Sequence, residues 1–458
     1  METKTDLINL KKDPIYSLFV KIAVPSSIGT IFQNLNSIVD GIFAGKMIST
    51  TALAAIGQIF PIYFVIIALG VGLSIGTTSL IANYIGSNNL NKGANIFAQS
   101  IILSIIVAII ISIFGITFSK NIIYSINQNL ESLNYSTQYI NIIFAGSIFI
   151  FILMILNSCL NAQGDTKSYR NILIFSFFIN IILNPILITG NLFTLNLFSP
   201  LGIKGIAIAT IISQFIGVFY LMYKIKKTYL FEKIKIKFFF PDLVIIKNIL
   251  TQGIPASIGM SMIALGSYIV LIFVAYFGNN ALAGYSAATR YESLFFLPLL
   301  GLNTAIIAIV GQNFGSKQYS RVIETYTKGL YLGIFLLSVL GVIIFFTSEI
   351  VINFFTSNNE AIKYGSTYLK ISSFMFPAFP FFFIGNATFQ GLKKAIIVMY
   401  MSILRWVIIP LIVLSIVFNN FDKNFINIFI SLVIMHWMIG ISYFFFSKNK
   451  IKKILYSH

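Results

Sequence analysis

The chain has 458 residues, 57% of them apolar and only 10% charged, with a mean hydropathy of +0.89. A water-soluble chain would be about one quarter charged, so a soluble globular fold is excluded. A single cysteine, Cys159, excludes a disulfide within the chain. The net charge of +18 invites a nucleic-acid reading, but the placement of the basic residues argues against it.

Met1 to Lys12 is polar, and the first apolar run is far too long for the core of a cleavable signal. Twelve apolar spans are predicted, at 14–44, 53–82, 94–118, 134–160, 169–190, 202–223, 244–275, 283–312, 324–348, 364–388, 395–418 and 426–446. Each can cross a hydrocarbon core of ~30 Å, and the longer ones require tilt or protrusion. The spans are apolar all round rather than in alternation, which fits helices and not a β-barrel.

With both termini on the cytoplasmic side, the outer segments hold six of the 31 Lys and Arg: Lys46, Lys120, Lys204, Lys363, Lys370 and Lys423. Arg290 and Arg405 fall within spans, and the rest gather inside, above all in the linker (Lys224, Lys226, Lys227, Lys233, Lys235, Lys237) and the tail (Lys448, Lys450, Lys452, Lys453). This is the positive-inside bias of an even number of crossings. The basic clusters therefore read as topology signals and lipid-headgroup contacts rather than a nucleic-acid surface. A bacterial inner (cytoplasmic) membrane, crossed many times, is the expected location.

The chain repeats itself once. Ile22–Gly29 resembles Gln252–Gly259, Thr51–Ala55 resembles Ala281–Gly284, Asn83–Ser87 resembles Gln312–Ser316, and Asn161–Asp165 resembles Thr388–Leu392. Six spans per half give both halves the same topology, related by an axis along the membrane normal, and such halves rock around a central cavity. The expected fold is an all-α polytopic membrane protein, twelve helices in two parallel-repeat six-helix lobes. Residues 1–228 form the first lobe, 229–243 a cytoplasmic linker and 244–458 the second lobe. Gly86, Gly315, Gly164 and Gly391 end helices at short turns, where left-handed backbone is expected at the glycine.

Polar residues inside spans mark candidate sites. In the first span Gly29, Gln33, Asn36 and Asp40 share one helical face. Pro25, lacking an N–H, can bend that helix. Asp40 has no acidic counterpart, because the second half carries Val270 in its place. Burial favours the neutral acid and a nearby cation favours the carboxylate. That opposition is the physical basis of ion coupling: an arriving cation displaces a proton, and the empty site reloads. A position at the water interface, with Lys46 six residues on, or a purely structural hydrogen-bond role is the alternative.

The fifth span adds Asn180 and Asn184, four apart on one face, followed by Pro185; the sixth adds Thr210. Their oxygens can ligate Na⁺ or clamp helices together. Arg290 and Glu292, two apart in the eighth span, cannot face each other and need separate partners. Glu292 is a candidate second proton site or a cavity-rim residue. His436 reads as a packing or lipid-edge residue. Among 46 Phe and 22 Tyr, Phe149, Phe273, Tyr276 and Tyr291 are candidates for an aromatic pocket that receives cationic molecules.

Other function classes fit poorly. No Gly-rich loop followed by Lys-Ser or Lys-Thr supplies the nucleotide site of a pump. Two histidines and one cysteine give no enzymatic cluster. The sparse polarity supplies no continuous channel pore.

The chain resembles the multidrug and toxic compound extrusion (MATE) family along almost its whole length. The carriers are Pro25, Val39–Gly45, Leu53–Gly57, Asn157 with Gln163–Lys167, Asn184-Pro185, Leu201–Thr210 and Gln312–Gly315. The resemblance implies two six-helix lobes that export cationic amphiphilic drugs in exchange for H⁺ or Na⁺, with no other cofactor, as a monomer among membrane lipids. It places Asp40 on the coupling aspartate of the first helix, Asn180 on a supporting amide, and any Na⁺ at Asp40, Asn180 and Asn184. Many members carry a second acid where this chain has Asn184. One branch places a glutamate about eight residues after the proline matching Pro255, where this chain has Ile263. The resemblance is therefore to the branch relying on its N-terminal-lobe aspartate. The superfamily also contains lipid-linked oligosaccharide flippases. With only Arg290 and Arg405 within spans, a pyrophosphate-linked cargo is disfavoured, and a flippase or metabolite carrier is the alternative.

Overall fold

All twelve expected spans are helical in the computed structural model of the chain, which describes residues 8–126, 129–192, 195–196, 198–420 and 424–456. Residues 1–7 of the polar start and Lys423 of the outer basic set lie outside the described residues. Eleven stretches are long and apolar enough to cross a membrane, and a bent pair of helices makes the twelfth. The first half comprises α1 (Ile15–Phe43), α2 (Thr50–Gly86), α3 (Leu90–Ile126), the bent pair α4 (Leu130–Ala145) and α5 (Ser147–Ala162), α6 (Lys167–Thr189) and α7 (Ile203–Lys226). The second comprises α8 (Leu243–Ala275), α9 (Asn279–Phe295), α10 (Leu297–Gly315), α11 (Tyr319–Phe355), α12 (Asn359–Ser372), α13 (Phe379–Gly391), α14 (Ala395–Ile403), α15 (Ile409–Asn420) and α16 (Phe425–Tyr456). A two-residue hairpin, β1 (Asn191–Leu192) with β2 (Leu195–Asn196), joins α6 to α7.

Four spans are interrupted, three of them at a glycine or a proline. The α4–α5 pair bends by 49° at Gly146. A β-carbon on Gly146 would collide with Ile211, so only glycine admits α7 this close. Between α12 and α13 the chain tightens into a 3₁₀ segment, Ser373–Ala378, around Pro377. The α9–α10 break falls at Phe296, two residues before Pro298, whose missing N–H removes a helical bond. The eleventh span carries a π-turn at Leu404–Ile408. A second π-turn, Ala44–Ile48, follows α1, and Ser49 then caps α2 by accepting from Ala52 N–H at 3.0 Å.

From α2 onward the repeat holds in backbone detail at one constant spacing. Glu131 accepts from Thr51 in the first half, and Glu360 accepts from Asn280 at the matching positions of the second. The turns correct one expectation. Left-handed backbone falls not on Gly86, Gly315 or Gly391 but on Asn88, Lys317 and Lys393, and on Gly164 as expected. Gly164 therefore corresponds to Lys393, so the similarity of Asn161–Asp165 to Thr388–Leu392 is two residues out of backbone register. The glycine at 391 answers a packing need, since its β-carbon would sit 2.8 Å from Val310 Cγ1.

Packing divides the chain into two compact units. One is Ile28–Ser257; the other is Met1–Ser27 with Ile258–His458. The sequence-based division at the basic linker treats α1 and α8 each as one piece, whereas packing divides each between the units. Within the first unit the start of α8 lies along α2: Ser257 Oγ donates to Leu69 O at 3.4 Å, and a β-carbon on Gly72 would meet Gly253 O at 2.6 Å. The linker is pinned there too, because the Gln99 amide donates to Phe238 O and Phe240 O at 2.7 and 2.6 Å and accepts from Asp242 N. Within the second unit the start of the chain is held by α10 and α11. Asn313 Nδ2 donates to Leu10 O at 3.0 Å and Arg321 Nη2 to Asp13 O at 2.8 Å. Small residues at these crossings let helix backbones approach where lipid supplies no hydrophobic drive.

Candidate functional site

Asp40 is buried one turn before the π-turn that ends its span, with 7% of its surface exposed. This disfavours a water-exposed carboxylate. Two neighbouring helices supply its partners. Asn184 Nδ2 of α6 donates to Asp40 Oδ1 at 2.9 Å, and Thr210 Oγ1 of α7 donates to Asp40 Oδ2 at 3.4 Å while sharing its proton with Ile206 O. The first is a well-formed bond and the second is long and weak. Gly205 sets the spacing: its β-carbon would lie 2.8 Å from Leu187 O, so α7 approaches α6 closely enough for Asn184 and Thr210 to reach one carboxylate.

The other polar residues of the stripe divide. Asn180 is fully buried but reaches Ser176 O and Ser213 Oγ, at 2.9 and 2.8 Å, rather than Asp40. Asn36 is half-buried, and Gln33 is exposed and shares no hydrogen bond with Asp40. The side-chain oxygens of Asn36, Asn180 and Asn184 are buried and accept from nothing among the described residues. Among those residues no ion pair involves Asp40 either, since the two present are Lys21–Asp13 and Lys328–Glu324.

Two tyrosines near Asp40 escaped the sequence reading. Both Tyr139 of α4 and Tyr63 of α2 are buried within electrostatic reach of the carboxylate. The second half repeats this arrangement with a substitution. At the constant spacing of the repeat, Tyr368 corresponds to Tyr139 and Glu292 to Tyr63. Glu292, 7% exposed, accepts a hydrogen bond from the hydroxyl of Tyr368 on α12. Tyr285 closes the cluster, its ring 4.9 Å from that of Tyr368 and 5.8 Å from that of Phe429. Arg290 is exposed and has no part in this cluster. Among the described residues each half thus holds one buried carboxylate near the corresponding tyrosine, delivered from α1 in one and from α9 in the other. Aligning the halves residue by residue through α4 and α12 was the signal that could have found it.

The aromatic candidates separate into local pairs. Phe149 packs on Phe215 at 5.2 Å, Phe273 and Tyr276 on Phe418 at 5.6 and 4.7 Å, and the Tyr291 hydroxyl meets Thr347 Oγ1 at 2.7 Å. His436 is buried, its Nδ1 2.7 Å from Leu432 O.

Twelve apolar spans in a twofold repeat, with buried carboxylates held by neutral donors, define a secondary transporter rather than an enzyme. The MatE family model matches the chain twice, over residues 25–186 and 255–419, one match in each half, and the chain belongs to that family. It is 28% identical over 374 residues to the probable multidrug resistance protein NorM of Thermotoga maritima, covering 81% of this chain and 78% of that one. It is 26% identical over 393 residues to the probable multidrug resistance protein YoeA of Bacillus subtilis, covering 84% and 83%. A solved MATE structure in complex with MaL6 superposes with a TM-score of 0.90 at 24% identity, over 99% of both chains, which fixes the shared fold.

Proposed function

We propose that the chain exports cationic, amphiphilic small molecules, drugs among them, in exchange for protons carried by Asp40. It would do so from the cytoplasmic membrane of a bacterium, by alternating access of its two units, with both termini inside. The observation that carries this reading is the enclosure of Asp40 by two neutral donors, Asn184 and Thr210, with no cation paired to it among the described residues. A carboxylate held this way trades its proton against an arriving positive charge. The names of the bacterial relatives support a drug cargo, and the inward bias of basic residues supports the orientation. Each chain carries its own carboxylates, so a monomer suffices.

Glu292 enters the proposal as a second proton carrier, supported by its burial and by the correspondence of Tyr368 with Tyr139. Exposed Arg290 is assigned to the rim of that half. Sodium is the second reading of the coupling ion. It is favoured by the buried oxygens of Asn36, Asn180 and Asn184, which accept from no described donor, the last of them on the amide that holds Asp40.

The test is drug-driven ion movement in proteoliposomes, comparing the native protein with Asp40→Asn, with and without Na⁺. Ethidium-driven proton movement that D40N abolishes supports Asp40-coupled export. A strict requirement for Na⁺ changes the ion alone. Normal exchange by D40N overturns the site, and the absence of any drug-driven flux moves a lipid or metabolite cargo ahead.

A further inference from the structure

Arg405 is completely buried in the π-turn between α14 and α15. All three of its guanidinium nitrogens, Nε, Nη1 and Nη2, lack a hydrogen-bond acceptor among the described residues. No described carboxylate pairs with it. Its surroundings are aromatic: Cζ lies 5.0, 4.3 and 5.1 Å from the ring centroids of Phe379, Phe382 and Trp406. Ring faces attract a cation, but they carry no net charge and offer no in-plane acceptor to five N–H bonds. An uncompensated buried charge is among the most costly features a protein core can hold.

Two polar neighbours hold other partners. His436, whose ring packs on Phe379 and Trp406 at 5.2 and 6.2 Å, has its Nδ1 on Leu432 O, and the Tyr443 hydroxyl donates to Asn386 Oδ1 at 2.7 Å. The indole N–H of Trp406, the next residue, is likewise buried without an acceptor. Four nitrogen donors on adjacent residues of one π-turn are thus buried without an acceptor among the described residues, beside a positive charge with no counter-charge there, which is the chemistry an anion would satisfy. Single π-turns inside α-helices recur at functional sites.

We propose that Arg405 and Trp406 bind a small monovalent inorganic anion, of the size and charge of chloride, inside the second unit. One guanidinium offsets one negative charge, so a doubly charged phosphate or sulfate would arrive undercompensated among apolar rings. The shared chemistry, a single compact negative charge accepting N–H bonds, also belongs to the carboxylate of an organic cargo, and the experiment separates the two.

The chain contains two tryptophans, so Trp437→Phe leaves Trp406 as the sole indole emitter. The purified full-length W437F protein is titrated with iodide at constant ionic strength, using gluconate as the replaced salt. The expected result is saturable quenching of Trp406, competed by chloride and not by sulfate. Quenching that rises linearly without saturating, or none at all, overturns the site. Arg405→Gln in the same background is expected to weaken the saturable phase at least tenfold, and an unchanged phase in R405Q overturns the assignment to Arg405. Should R405Q fail to fold, the single-tryptophan titration alone decides. Competition by acetate as strong as by chloride overturns the inorganic ligand in favour of a carboxylate-bearing cargo. The readout needs neither transport nor Asp40, so its failure is distinct from failure of the proposed exchange.

Discussion

The hydroxyl of Tyr368 is aimed at the carboxylate of Glu292, in the place where the other half of the repeat sets Tyr139 beside Asp40. The tyrosine recurs in both halves, whereas the acid comes from the first helix of one half and the second helix of the other. The two carboxylates thus sit in related surroundings without being sequence equivalents. Replacing Glu292 by Gln is expected to leave drug exchange intact but to lower the number of protons moved per drug. Tyr368→Phe keeps that number and slows exchange. Calibrated proton and drug fluxes in the same vesicles distinguish the two, and an unchanged ratio in E292Q removes Glu292 from the coupling.

The two donors on Asp40 are unequal. Asn184→Ala removes a 2.9 Å bond and leaves a buried carboxyl oxygen short of its donor, a loss of about 1–3 kcal/mol, and should reduce exchange by about tenfold. Thr210→Ala removes a 3.4 Å bond whose donor already serves Ile206 O, and its effect should stay within about twofold. Initial rates of ethidium efflux measure both. Equal losses would mean that the two bonds carry equal weight.

Gly205 sets the distance between α6 and α7. A methyl group there must displace backbone of Leu187, an overpacking that costs ~1–3 kcal/mol. Gly205→Ala should therefore lower the thermal midpoint by a few degrees and slow exchange. Gly57→Ala, where nothing lies within 4 Å of an added β-carbon, is the control and should leave the midpoint in place.

Cys159 has no exposed surface. A maleimide probe should leave the folded protein unlabelled and react as the protein melts. Labelling at the native rate of an exposed thiol would show that the α5 surroundings open without global unfolding.

The spans were legible because uninterrupted apolar runs have few alternative explanations, and Asp40 because an acid inside such a run is rare. Asn184 and Thr210 could be proposed from polarity alone, but polarity could not distinguish Asn184, which reaches the carboxylate, from Asn180, which is drawn to Ser213 on α7. Gln33 shares the helical face of Asp40 yet remains exposed, since periodicity reports direction and not depth. Tyr63, Tyr139 and Tyr368 carried no signal among 22 tyrosines. The turn glycines misled because lysine and asparagine take the left-handed positions at Lys317, Lys393 and Asn88.

The division of α1 after Ser27 and of α8 after Ser257 bears on how the chain is made. As it leaves the ribosome, its first segment must wait, unpartnered, until the polypeptide past Ile258 has been synthesised. The earlier-made unit, in turn, is finished only by a strip of α8 that lies beyond the basic linker. The two halves are duplicates in sequence but not in assembly: each lends the other a strip. A cut at the linker would therefore leave two fragments, each missing part of its own interior, that recover their packing only by finding each other.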